Sequence, residues 1–185
     1  QVLYYAGVVT SLISDGFSII SGDNSIRMNR PVTFLLKGIR DLGGYAVSSR
    51  NNDYAPMIIR GPISPGEVLI SGEASLPVSA MLILACFLKG DTTIVVDNPG
   101  EKAWVNLTLS WLDRGGIEYK NFDFNKFVVH GKGKFNSFEY AVPSDFSSSA
   151  YPIVAALLTK SEITLTNIDM NDVQGDKELI TVLQR

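Results

Sequence analysis

The chain has 185 residues, 45% hydrophobic and 19% charged, with 16 basic against 19 acidic side chains and a net charge of −3. That is enough apolar material to bury a core and too little charge for a disordered chain, and the weak negative balance, with no basic cluster interleaved with aromatics, argues against nucleic acid as a partner. A single histidine and a single cysteine exclude an internal disulfide and a self-sufficient zinc site, and no apolar run approaches the roughly 20 residues that span a bilayer.

In chain order, residues 2–13 read as an apolar helix and 15–21 (DGFSIIS) as a polar turn followed by a short strand. Arg27 and Arg30 then precede a helix expected to begin at Pro31, because proline suits the first helical position. That helix ends in the glycine pair of FLLKGIRDLGG (34–44), and 45–49 and 57–60 follow as hairpin arms. Residues 67–71 read as the next strand, and 75–89 as a helix almost wholly apolar along 78–88. The β-branched stretch 92–96 reads as a strand, and 104–114 as a helix with Trp104, Leu107, Trp111 and Leu112 on its buried face. A second glycine pair, Gly115 and Gly116, leads into hairpin arms at 117–120 and 126–129. Residues 138–142, 147–159, 162–167 and 177–184 then read as strand, helix, strand and helix.

These elements repeat with a period of roughly seventy residues, and repeats are found before fold is argued. The expected class is α/β (α+β), built from β-α-β-α-β-β units with buried parallel helices and surrounding sheets. Residues 1–61 form a partial repeat, 62–135 a full one, and a third begins near 138. The chain starts inside a helix without an initiating Met and stops short of a third glycine pair, so it is expected to be an internal piece of a longer protein.

The chemistry of this chain gathers at helix starts. Arg27 and Arg30 sit before one, GEAS (72–75) and GEK (100–102) open two more, and Asp145 or a following serine is the expected N-cap of a fourth. Helix N-termini present unpaired N–H groups and partial positive charge, which suit phosphate and carboxylate. Several such ends converging would make one anionic site; the plainer alternative is a set of well-capped helices. Cys86, inside an apolar run, reads as a small core residue, and His130 as a surface or loop-packing residue.

VPSDFSSSAYPIVAALL (142–158) resembles the Val-x-Gly-Asp-x-Ser-Ser-Ala segment of the enolpyruvyl transferases, and DVQGD (172–176) resembles their Gln-Gly-Asp stretch. RMNRPVTFLLKGIRDLGG (27–44) is similar to their Arg-Pro helix, and ISGEAS (70–75) to the strand-turn carrying their Ser-Ser-Gln motif. The likeness runs the whole length in order, and is to the branch that uses shikimate 3-phosphate. It implies a protein more than twice as long with two domains of six units in all, of which 1–141 would be most of the first and 142–185 the start of the second. It also implies transfer of the enolpyruvyl group of phosphoenolpyruvate to the 5-hydroxyl of shikimate 3-phosphate, with no metal or organic cofactor, in a cytoplasmic monomer that binds neither membrane nor nucleic acid.

By that resemblance Arg30 binds phosphoenolpyruvate. Ser75 matches the first serine of Ser-Ser-Gln and would hold the shikimate phosphate, while Leu76 and Pro77 stand where the second serine and the glutamine belong. Pro77 thus enters the acceptor site without an amide. Trp104 replaces a substrate-contacting tyrosine, Glu101 a nearby serine, and Ser144 the glycine before Asp145. Tyr4 stands where many members carry arginine. Arg27, Glu101 and Asp145 are further candidates, and the catalytic residues are expected in segments this chain lacks, so the chain alone is expected to be inactive. Alternatives are a remodelled or silent member binding an anionic ligand, or the UDP-N-acetylglucosamine enolpyruvyl transferase, whose reactive Cys is missing from GDNSIRMN (22–29). The RNA 3′-phosphate cyclases share the repeat fold but call for a basic surface.

Overall fold

The computed structural model describes residues 2–13, 15–132 and 134–184, which divide into two compact units, Gln1–Ser137 and Phe138–Arg185. The first unit opens with α1 (Val2–Thr10), β1 (Ser18–Ile20), α2 (Asn24–Asn29), α3 (Thr33–Asp41), β2 (Tyr45–Ser48) and β3 (Met57–Arg60). Its strands make a sheet in the order β1-β3-β2, antiparallel throughout. Next come β4 (Glu67–Ser71), α4 (Ser75–Phe87), β5 (Lys89–Asp97), α5 (Lys102–Arg114), β6 (Glu118–Phe122) and β7 (Lys126–Lys132). This sheet runs β4-β5-β7-β6, with β4 and β5 parallel and the other pairs antiparallel. Its last three strands repeat the first sheet, and β4 is the opening strand that the first repeat lacks.

The glycine pairs end α3 and α5 in the same way. Gly43 and Gly116 each take the left-handed conformation at φ 90 and 70, which only glycine adopts without steric cost. Gly44 N–H then donates to the Ile39 carbonyl and Ile117 N–H to the Leu112 carbonyl, each at 2.9 Å, closing the Schellman geometry at both ends.

Helix α4 is apolar all round, leaving it no face for water. Ten of its thirteen residues are buried, and it packs against α1, α3, α5, β4, β5 and β7. Met81, Leu82, Leu84, Ala85 and Cys86 are sealed in the core, although Phe87, within the run expected to be hidden, is 36% exposed. The Cys86 thiol donates to the Leu82 carbonyl at 3.1 Å, and burial pushes its pKa up to about 12.

Three expectations need correction. Pro31 is not the first residue of a helix: Arg27 lies on the short α2, capped by Asp23, and α3 begins at Thr33. On α5 the buried residues are Val105, Thr108, Leu109 and Leu112, with Trp104, Leu107 and Trp111 only half-buried. The reason is close approach: Thr108 Oγ1 donates to Ser79 Oγ at 2.7 Å between α5 and α4, and small side chains fit that seam where a tryptophan does not. Finally, neither 138–142 nor 162–167 forms a strand.

The second unit holds α6 (Phe146–Thr159), a 3₁₀ turn (Gly175–Lys177) and α7 (Glu178–Leu183). Ser144 N–H donates to the Asn167 carbonyl at 2.7 Å, the counterpart of Gly72 N–H to the Asp97 carbonyl, also 2.7 Å, where β4 meets β5. The repeat's strand ends therefore still meet, but no ladder extends from them, and Ile163 and Leu165 remain largely exposed. Two strands without further neighbours and a covered face do not hold a sheet together.

Candidate functional site

The two arginines flank the end of α2. Arg30 is its C-cap, extended at φ −121 and ψ 91 and exposed. Among the described residues no hydrogen bond or ion pair engages its guanidinium. Arg27, in the last turn, is half-buried, and its Nε is shut from water without a partner. The Tyr4 hydroxyl of α1 donates to the Pro31 carbonyl, directly after Arg30. Burial raises the Tyr4 pKa, and the nearby Arg30 charge works in the opposite sense. The result is a free, exposed guanidinium on a firmly held turn, suited to a carboxylate or phosphate.

The start of α4 differs. Its N-cap residue, Ala74, has no capping side chain. The Glu101 carboxylate supplies the cap from the start of α5: one Oε accepts from Ser75 N–H at 2.8 Å and from Ser75 Oγ at 2.7 Å. These bonds, the backbone one first, hold the Glu101 carboxyl below its ordinary 4.5. Ser75 and Glu101, two of the candidate residues, are thus brought together, but as partners of each other. Ser75 is only 6% exposed, and Pro77 is buried in the first turn of α4 with no N–H to donate. Trp104 lies half-buried in the first turn of α5.

Asp145 is the N-cap of α6, accepting from Ser147 N–H at 3.2 Å, Ser148 N–H at 3.0 Å and Ser148 Oγ at 2.5 Å. The Ser148 hydroxyl is the main influence holding its carboxyl below the ordinary value. In the same helix Ser147 Oγ donates to Asp176, at the start of the following 3₁₀ turn. This repeats the Ser75–Glu101 arrangement, and the sequence carried a signal for it: Gly100-Glu101-Lys102 recurs as Gly175-Asp176-Lys177. Gln174, also unanticipated as a structural residue, is buried with Oε1 accepting from Phe146 N–H at 2.9 Å and Nε2 donating to the Ser144 carbonyl at 3.1 Å.

His130 Nδ1 lies 2.7 Å from Asp91 on the neighbouring strand β5, a surface pair. Among the described residues no group of three or more His, Cys, Asp or Glu side chains is placed to hold a metal ion, and no helix is long and apolar enough to cross a membrane.

Repeated β-α-β-α-β-β units around a buried helix, with an open arginine just before α3 inside the first repeat, fit the resemblance to the enolpyruvyl transferases. Comparison with known proteins agrees. The model of the EPSP synthase (3-phosphoshikimate 1-carboxyvinyltransferase) family matches residues 5–185. The 3-phosphoshikimate 1-carboxyvinyltransferase of Acetivibrio thermocellus is 36% identical over 178 residues, covering 96% of this chain and 42% of the relative. That of Methanocaldococcus jannaschii is 36% identical over 179 residues, covering 95% and 41%. The structure of EPSP synthase from Acinetobacter baumannii superposes with a TM-score of 0.72 at 22% identity, over 98% of this chain and 39% of that one, a likeness of fold. The chain belongs to the EPSP synthase family, and it spans about 42% of the length of the first relatives it matches.

Proposed function

We propose that this chain contributes part of an enzyme that joins phosphoenolpyruvate to shikimate 3-phosphate on the route to chorismate and the aromatic amino acids. In that reaction the 5-hydroxyl gives up its proton to a base and its oxygen bonds to C2 of phosphoenolpyruvate as C3 gains a proton from an acid. The resulting tetrahedral adduct then breaks its C2–O bond to phosphate and loses a C3 proton, leaving the enol ether and inorganic phosphate. Residues 1–141 are read as most of one domain and 142–185 as the start of the next, in a cytoplasmic, monomeric enzyme whose acid–base residues lie outside this chain.

Arg30 is the observation that carries this reading: an exposed guanidinium with no internal partner among the described residues, in a chain whose family is defined by anionic substrates. It takes the phosphoenolpyruvate, while the region of Ser75, Pro77 and Trp104 is read as the acceptor side by resemblance. In this chain Arg30 is exposed to water, so the contact acts in high dielectric. Binding to this chain is therefore weak and salt-sensitive, and phosphoenolpyruvate plus shikimate 3-phosphate release no phosphate. Arg30→Lys exchanges a planar fork for a point charge and should weaken phosphoenolpyruvate binding by about 1.5 kcal/mol, roughly tenfold in Kd. Calorimetric titration checks this, and an unchanged Kd assigns Arg30 to structure alone.

The Glu101–Ser75 contact supports a second reading, a family member remodelled around its acceptor. A phosphate arriving at Ser75 meets a resident carboxylate, so shikimate 3-phosphate binds only by displacing Glu101.

A further inference from the structure

The turn that carries Arg30 is anchored from two sides, neither of them α2. Pro31 has no N–H to contribute, and its carbonyl accepts the hydroxyl of Tyr4. One residue on, the buried Val32 donates its N–H to the Asp53 carbonyl at 2.8 Å, with Asp53 left-handed at φ 64. Tyr4 is 8% exposed, so its ring belongs to the core while its one polar group meets the turn. Arg30 is close enough for its charge to act on that phenol. Its own side chain has no hydrogen-bond partner among the described residues, so the aim of the guanidinium depends on its backbone.

We propose that Tyr4 is the positioning residue for Arg30: its hydroxyl, bonded to the Pro31 carbonyl, fixes the turn from which the guanidinium reaches the anionic donor substrate. The substrate's identity rests on the reading of Arg30 given above; the mechanical link does not. The bond reaches from the first helix across 27 positions to the turn, while Asp53 supplies the second point. Two points fix the direction of the chain where one leaves a pivot. A side chain too short to reach it leaves the Pro31 carbonyl without this donor.

Tyr4→Phe keeps the ring and removes one hydroxyl. In ¹⁵N relaxation of the unliganded chain, the Arg30 amide and Nε–H should become more mobile while amides along α4 stay as they were. Phosphoenolpyruvate binding should weaken about threefold to tenfold, and Tyr4→Phe combined with Arg30→Lys should bind no worse than Arg30→Lys alone. Arg30 signals identical in wild type and Tyr4→Phe, or losses that add across the double variant, overturn the proposal. If wild type fails to bind phosphoenolpyruvate, the substrate reading falls and the Arg30 relaxation still decides about Tyr4. Should Tyr4→Phe fail to fold, the Tyr4 ring resonances decide: phosphoenolpyruvate must shift them in wild type and not in Arg30→Lys, and their standing still in wild type overturns the proposal.

Discussion

Two places in this chain suit an anion, and they are in opposite states. At the end of α2 a held backbone presents Arg30 with no internal partner among the described residues. At the start of α4 the donors are equally well placed, but Glu101 already takes both Ser75 N–H and Ser75 Oγ. The start of α6 is closed in the same manner by Asp145 and Asp176. A helix N-terminus is therefore not by itself evidence of a ligand, because the chain's own carboxylates are its nearest anions. The open guanidinium is the more informative feature.

The sharpest way to test this contrast is to open the closed end. Glu101→Ala removes the one side-chain cap of α4 among the described residues and should cost about 1 kcal/mol of stability, as loss of an N-cap does. It should also let Ser75 amide shift on addition of inorganic phosphate, which leaves that signal still in wild type. A variant as stable as wild type, or one in which phosphate still does not reach Ser75, breaks the idea of a filled seat.

A smaller effect follows from acid. The Glu101 carboxyl is held below 4.5 in the fold, so its contribution is complete above that value and is lost as pH falls through the lower folded one. Asp145 behaves alike below 3.8. Stability should therefore begin to fall as pH drops to about 4.5 and go on falling below it in wild type, and Glu101→Gln should flatten the dependence. A Glu101→Gln chain that loses stability with acid as steeply as wild type does would remove Glu101 from the account.

How much of this was legible in the sequence varies with the interaction involved. Gly43 and Gly116 announced the repeat because their requirement is local: a left-handed residue after a helix. The apolar run of α4 announced its burial because no face was left for water. Residues 162–167 have the same β-branched character as β5, yet form no strand, since a strand depends on neighbours that its own residues do not specify. The buried face of α5 was misread for a related reason: tryptophans look like core, but the seam with α4 is set by Thr108 and Ser79. The Arg-Pro context singled out Arg30, and the structure adds that its side chain is exposed. The pairing of Glu101 with Ser75 was not, although Gly-Glu-Lys and Gly-Asp-Lys recur in the two repeats, because a contact across 26 residues shows only once the strands bring it together.

The most direct test is to titrate phosphoenolpyruvate into the wild-type chain and follow individual amide and arginine Nε–H resonances. The open-turn account predicts saturable shifts at Arg30 and its neighbours from 27 to 33, with the Ser75 amide unmoved. Shifts at Ser75 with none at Arg30 would contradict it.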